Sequence, residues 1–129
     1  MDYVFLLGRI LLGGYFIMSG LNHFLHLANM TGYAQSKGLP MPKESVMLSG
    51  LMMILGGAGI LLGAGVYTAW CIYMLVLFLV VASFKMHQFW KAEGMVAMGE
   101  KINFEKNLAL AGALLMLLSI PTPWMMSLM

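Results

Sequence analysis

Three histidines are the residues of this chain best suited to do chemistry: His23, His26 and His87. A neutral imidazole offers one hydrogen-bond donor and one acceptor, and the ring gains a charge near neutral pH. A cluster of such rings can ligate a metal or haem, relay protons, or bind the carbonyl oxygens of a quinone. The spacing of His23 and His26 also suits histidines that only bridge apolar and wet zones. The sequence leaves these interpretations open.

Arg9 is the second residue that invites a functional interpretation, because it lies within an apolar segment. If a helix begins near Tyr3, Arg9 lies about 9 Å along it, at about 1.5 Å per residue. An arginine at that depth costs a few kcal/mol unless it is paired or reaches the headgroups. The side chain either snorkels toward the headgroups or faces other helices and binds an anionic or carbonyl group. The sequence does not choose between the two.

The composition places these residues in a membrane protein. Of the 129 residues, 61% are hydrophobic and 9% are charged, whereas soluble domains carry about 25% charged residues. The mean hydropathy is +0.88, and the formal net charge of +2 is too small and too scattered for a nucleic-acid footprint. Cys71 is the single cysteine, so exchange within a pair of thiols is excluded. The lipid bilayer is the expected partner, and nucleic acid is not.

Charge-free segments predict four membrane-spanning helices. No Asp, Glu, Lys or Arg occurs from Ser45 to Phe84, which is enough for two crossings of about 20 residues and a turn. Apolar segments on either side supply a first and a fourth crossing, the latter ended by Pro121 and Pro123. The predicted spans are residues 3–27, 46–62, 68–84 and 104–120. The predicted fold class is all-α, an integral membrane four-helix bundle formed by one transmembrane domain over residues 1–129.

The positions of the basic residues predict the orientation of this bundle. Six of the seven basic residues lie in or beside two connecting loops, residues 28–45 and 85–103. The positive-inside rule places these loops in the cytoplasm and both termini outside. The second loop combines charged and apolar residues, so we expect it to lie on the membrane or to fold over the end of the bundle.

The same topology gathers polar side chains at the loop end of the bundle. Helical spacing puts Asn22 and His26 on one face of the first helix and His23 on another, with Arg9, and the two faces cannot both point to the bundle axis. The candidate residues of a polar or quinone-binding pocket are Arg9, Asn22, His23, His87, Trp90 and Asn107, with Trp90 as a stacking partner. A metal site is not expected, and its weak candidates are His23, His26 and His87.

Several short motifs resemble the DoxX-like family (DoxX/DoxD) of small four-helix membrane proteins. The resemblance runs from about Leu7 to Leu118 and is carried by these segments: Gly8-Arg9-Ile10, Ser19-Gly20-Leu21-Asn22-His23, Thr31 to Pro42, Leu55-Gly56-Gly57, His87-Gln88-Phe89-Trp90 and Glu105 to Gly112. Two positions depart from the family's pattern. Met53 stands where an acidic residue is frequent, and His23 stands where lysine is frequent. Both departures remove formal charge from the bundle.

The resemblance implies a multi-pass protein of the inner membrane of a bacterium or archaeon. Some relatives act as the small subunit of a thiosulfate:quinone oxidoreductase, and others are linked to thiol or oxidative-stress complexes. We therefore expect a subunit or anchor of a quinone-linked redox system that needs a partner subunit. If it takes part in catalysis, it does so as an oxidoreductase subunit and not as a self-sufficient enzyme.

Quinone is the cofactor that this expectation implies, and the lack of a haem-attachment motif argues against haem. Two alternatives stay open at this point. One is a non-catalytic membrane scaffold or assembly factor, whose glycine-rich helices leave room for a homo-oligomer. The other is a small-solute transporter, which is weaker because the predicted spans lack acids and mid-membrane helix breaks.

Overall fold

The structure is a computed structural model that describes residues 1–127, and every regular element in those residues is helical. The helices are α1 (Asp2–Leu25), α2 (Leu27–Ser36), α3 (Pro42–Leu62), α4 (Thr68–Met86) and α5 (Gly94–Leu117). Short 3-10 turns at Gly65–Tyr67 and Phe89–Lys91 precede α4 and α5. The predicted fold class, an all-α membrane helical bundle, is confirmed.

Three helical segments in the described chain are long and apolar enough to cross a membrane. They are Asp2–Leu25, Pro42–Leu62 and Gly65–Lys91. The remaining long helix, α5, differs because it carries four charged residues: Glu100, Lys101, Glu105 and Lys106. The predicted fourth crossing at residues 104–120 therefore stays a prediction.

Both connections at the loop end contain more helix than the sequence predicted. The predicted loop 28–45 holds most of α2 and the first turn of α3, and α5 begins at Gly94, well inside the predicted loop 85–103. The fourth long helix also ends at Leu117 rather than at residue 120. The predicted ends of these segments rest on the positions of formally charged residues. A charged residue marks the end of a lipid crossing, but it is compatible with a helix that continues into water or the headgroups.

Glycines allow α1 and α3 to approach each other closely. A methyl group on Gly13 would lie 2.7 Å from the carbonyl oxygen of Gly57, and one on Gly20 would lie 2.6 Å from that of Gly50. Real side chains cannot occupy such positions, so these glycines set the spacing of the two helices. Close approach through small residues provides the contact energy between helices that the hydrophobic effect does not supply in lipid.

The core joins the four long helices and the C-terminal segment. Its buried members are apolar and come from α1, α3, α4, α5 and the segment after α5: Phe16, Met53, Ile60, Ile72, Leu75, Leu79, Ala111, Leu114 and Trp124. Because Trp124 packs in this core, the segment of residues 121–127 turns back onto the bundle. We call this end of the bundle the terminal end, and the end that carries α2 and residues 87–93 the loop end.

Candidate functional site

A cavity of about 420 Å³ lies at the loop end, bounded by residues of α1, α2, α3 and α4. Most of its wall is apolar and includes Leu48, Met52, Leu77, Phe78 and Val81. The polar side chains that line it are His23, Tyr33, Ser45, Ser49, Lys85 and His87. Pockets that bind small molecules measure about 300–1,000 Å³ and combine apolar walls with a few polar groups. This cavity therefore fits a small ligand with an apolar body and a polar group.

His23 is held on the cavity wall through one ring nitrogen. Its Nδ1 lies 3.0 Å from the carbonyl oxygen of Val46 and 3.1 Å from Oγ of Ser49. A carbonyl oxygen can only accept a hydrogen bond, so Nδ1 carries the proton. The hydroxyl of Ser49 donates to the same carbonyl at 3.0 Å, so its oxygen is free to accept from Nδ1. In the neutral ring, Nε2 is then an unprotonated acceptor.

His87 is held in the same way by a carboxylate. Its Nδ1 lies 3.0 Å from Oε2 of Glu100, and an ionised carboxylate is only an acceptor. Nδ1 of His87 therefore also carries the proton. In the part of the chain that the structure describes, neither His23 nor His87 has a hydrogen bond at Nε2. Both cavity histidines thus keep one nitrogen for a ligand.

Glu100 is a buried carboxylate that joins three other residues. It is 8% exposed, the Tyr33 hydroxyl donates to its Oε1 at 2.8 Å, and Nζ of Lys37 lies 3.7 Å from its Oε2. Burial alone would raise the pKa of Glu100, but the hydrogen bonds from Tyr33 and His87 and the charge of Lys37 outweigh it and lower the pKa. Burial, together with the bond to Glu100, raises the pKa of Tyr33. At neutral pH Glu100 is ionised and Tyr33 is a donor.

Three of the predicted pocket residues, Asn22, Trp90 and Asn107, do not line this cavity, and neither does the weak metal candidate His26. Asn22 and His26 lie on the exposed face of α1 and at its end, because the face that contains His23 is the buried one. Trp90 is half exposed and packs edge-on against Phe89 and Phe104 and at a tilt against Phe84, with ring centroids 5.2–6.3 Å apart. Asn107 is buried in α5. None of these four side chains lines the cavity.

Arg9 lies at the terminal end and faces the bundle rather than the headgroups. It is 2% exposed, and its Nε, Nη2 and Nη1 donate to the carbonyl oxygens of Ile60, Leu61 and Met125 at 3.1, 2.9 and 2.6 Å. The first two carbonyls belong to the last turn of α3, where no further turn of helix supplies a donor. The carbonyl groups that Arg9 binds are thus those of its own chain.

A metal ion has no ligand set in the described residues. No group of three or more His, Cys, Asp or Glu side chains comes together between residues 1 and 127. His26 is exposed, while His23 and His87 bond separate partners. The three histidines therefore do not converge on one point.

Sequence reasoning missed Glu100 and Tyr33. Glu100 is on the buried face of α5, seven residues before Asn107 and in line with Ala111 and Leu114. This helical spacing would have predicted that Glu100 is buried. The predicted fourth helix began only at residue 104, however, so the sequence analysis placed Glu100 in a loop.

The family model DoxX matches residues 4–88, which is more than half of the 129 residues. Neither the curated proteins nor the solved structures contain a match. The matched segment includes α1 to α4 and both cavity histidines, whereas Glu100 lies beyond it. The chain belongs to the DoxX family.

Proposed function

We propose that this protein is the membrane subunit of a quinone-linked redox system and that the loop-end cavity binds the quinone headgroup. One observation carries the proposal. Two histidines line an apolar cavity, and in each the Nδ1 atom is engaged by an acceptor while Nε2 has no partner in the described chain. A quinone ring needs apolar walls. Its carbonyl oxygens accept from Nε2–H of a protonated ring, and the hydroxyl groups of the hydroquinone donate to the unprotonated Nε2 of a neutral ring.

The state of the histidine rings fits the proton chemistry of a quinone. Conversion of a quinone to a hydroquinone takes up two electrons and two protons, one proton at each oxygen. A protonated ring at His23 or His87 donates through Nε2–H and, after giving up that proton, keeps the one on Nδ1. Each ring therefore exchanges its proton at the nitrogen that has no partner in the protein.

The electrons must come from a partner in this proposal. The resemblance to small subunits of thiosulfate:quinone oxidoreductases supports a sulfur compound as the donor, oxidised on a second subunit that delivers two electrons per quinone. The described residues hold no pair of thiols, since Cys71 is the single cysteine. The role of this chain is to bind and orient the quinone and to exchange protons with it.

The location follows from the same resemblance and from the charge distribution. We place the chain in the inner membrane of a bacterium or archaeon, as one transmembrane domain over residues 1–129. The fourth crossing is residues 104–120, and the connections at 28–45 and 85–103 face the cytoplasm. In this orientation the two histidines take protons from the cytoplasmic side, and the partner subunit docks on that side as well.

A quinone titration of the protein in lipid nanodiscs tests the proposal. A short-chain quinone is added, and binding is followed by calorimetry for the parent protein and for His23→Gln and His87→Gln. Loss of one hydrogen bond of about 1.5 kcal/mol weakens binding about tenfold. His26→Gln is the matched control because that ring is exposed and outside the cavity, and it should bind like the parent. Equal affinity in all four proteins would refute the proposal.

A second variant addresses the cavity itself. Ala82 lines the cavity wall, so Ala82→Phe fills part of the space while both histidines are kept. We expect this variant to lose quinone binding while its helix content and melting temperature stay close to those of the parent. Retained binding would place the quinone elsewhere on the molecule.

A scaffold or assembly factor is the second candidate function, and one observation favours it. In the first part of α5, Met95, Met98 and Ile102 are 82%, 59% and 60% exposed, and their spacing puts them on one side of the helix. Such a face suits a partner protein. Met98→Glu should abolish co-purification of a partner in gentle detergent, and it should leave quinone binding unchanged.

A further inference from the structure

We infer that Glu100 is a positioning residue that fixes the proton of His87 on Nδ1, so that the ring exchanges protons with the cavity ligand only through Nε2. The inference rests on the proposed function for the identity of the ligand. It concerns a residue outside the segment that the family model matches, at residues 4–88. The role of Glu100 is therefore argued from this structure alone.

The contact that carries the inference is the 3.0 Å bond between Nδ1 of His87 and Oε2 of Glu100. Neutral imidazole exists in two forms, with the proton on either nitrogen, and the hydrogen bond at one nitrogen decides which form is populated. A carboxylate can only accept, so it selects the form with Nδ1 protonated. The unprotonated Nε2 is then the only ring atom that can take a proton from a ligand.

The surroundings keep Glu100 in its acceptor state. The Tyr33 hydroxyl donates to Oε1 at 2.8 Å, and Nζ of Lys37 lies 3.7 Å from Oε2, both from α2. On α5 itself, Lys101 is paired with Glu105 at 3.9 Å and is more than half exposed. All the groups that face Glu100 from α2 and from the end of α4 thus favour the ionised carboxylate.

The two cavity histidines differ in the charge of the group behind them. His23 is held by a main-chain carbonyl and a serine hydroxyl, which are neutral. His87 is held by a carboxylate, whose negative charge balances the positive ring once Nε2 has taken a proton. The proton on Nδ1 of His23 is therefore fixed by a main-chain carbonyl, whereas that on Nδ1 of His87 is fixed by the carboxylate of Glu100.

Nitrogen-15 NMR of the full chain in lipid nanodiscs tests the inference directly. The three histidines are labelled, and their signals are assigned with His23→Gln, His26→Gln and His87→Gln. The nitrogen shifts of a neutral ring report which nitrogen carries the proton. We expect His87 in the parent protein to be protonated at Nδ1, and we expect the ratio of the two forms to change about tenfold in Glu100→Gln, because a charge-assisted hydrogen bond is lost.

Glu105→Gln is the matched control, because it removes the same charge from an exposed carboxylate on the same helix. It should leave the His87 signals unchanged. His23 provides an internal control in every spectrum, since its proton is set by Val46 and not by Glu100. Its unchanged signals in Glu100→Gln would show that the fold is intact.

The outcomes separate this inference from the proposed function. If Glu100→Gln folds and His87 keeps the parent form, Glu100 does not position the ring and the inference fails. If Glu100→Gln does not fold, Glu100→Asp gives the decision, because it withdraws the carboxylate from Nδ1 by one methylene: the ratio of the two forms of His87 should change, and an unchanged ratio would overturn the inference. If the His87 form responds to Glu100 but added quinone does not move any Nε2 signal, the proposed function fails while the positioning role stands.

Discussion

Replacement of Arg9 by methionine is expected to destabilise the bundle strongly. The variant keeps a long unbranched side chain but removes all three hydrogen bonds to the carbonyl oxygens of Ile60, Leu61 and Met125. It also removes the contacts of the guanidinium with the rings of Phe5 and Trp124, whose centroids lie 5.8 and 5.6 Å from Cζ. The three carbonyls then lie at the terminal end of the bundle without their donor.

The size of the effect can be worked out from these contacts. A hydrogen bond to a charged group contributes about 1.5–3 kcal/mol, so three bonds contribute about 4.5–9 kcal/mol. Methionine avoids the cost of burying a charge, which is several kcal/mol and offsets part of this sum. The loss of the three bonds, offset by this gain, leaves a net cost of about 3–5 kcal/mol. At about 4 °C per kcal/mol, the melting temperature should fall by about 12–20 °C.

Thermal unfolding of both proteins in the same detergent, followed by circular dichroism, measures this loss. Lys106→Met is the matched control, because it removes another cation whose Nζ lies 5.9 Å from the ring of Tyr15 on the surface. It should cost less than about 1 kcal/mol. A chain that ends at Trp124 removes the Met125 acceptor but keeps Arg9 and its bonds to Ile60 and Leu61, and its melting temperature should lie between the two. A melting temperature of Arg9→Met close to that of Lys106→Met would refute the reasoning.

Three other predictions test packing, charge and orientation. Gly13→Ala should lower the free energy of unfolding by about 1–3 kcal/mol because its methyl group would meet a backbone carbonyl of α3. Gly14→Ala is the control, because its methyl group meets nothing within 4 Å, and it should not destabilise the protein. Equal melting temperatures of the two variants would contradict the close approach of α1 and α3. The pKa of Glu100 is lower in the folded protein than in the unfolded chain. Ionised Glu100 therefore stabilises the fold fully above its unfolded-state pKa of about 4.3, and this stabilisation is lost as the pH falls through its folded-state pKa. Unfolding measured at decreasing pH should show this loss in the parent and not in Glu100→Gln, and identical profiles would argue against the pairing. With the single cysteine changed to serine, an impermeant maleimide added outside cells should label Val66→Cys and not Lys37→Cys, and the opposite result would reverse the proposed orientation.

Periodicity sorted the polar residues of α1 onto two faces but did not say which face is buried. The spacing that grouped His23 with Arg9 and separated it from Asn22 and His26 is the spacing of the residues that the structure buries. In a bundle, one face of each helix must pack against its neighbours, so a period of 3.6 residues carries that information. The sequence left open whether this face or the opposite one pointed inward, and the glycine contacts with α3 decide it.

The partners of Glu100 were beyond what the sequence could predict. Tyr33 and Lys37 lie on α2, whose position depends on the break in the chain at His26. A glutamate beside a lysine in a charged stretch is normally solvated, and its neighbour Lys101 does pair with Glu105 at the surface. Only the packing of α5 against the end of α4 reveals that this one carboxylate is turned inward.

Hydrogen bonds, more than depth or charge, distinguish the polar residues that hold the bundle together from those that can bind a ligand. Arg9 is the most deeply buried charged residue of the described chain, and three of its nitrogens already bond carbonyls of that chain. His23 and His87 are each bonded at Nδ1 only. Nε2 of neither ring has a partner in the described chain, so it can form a hydrogen bond with a ligand in the cavity that both residues line. Of the residues that first invited a functional interpretation, these two histidines are the ones that fold with bonding capacity still directed to a ligand.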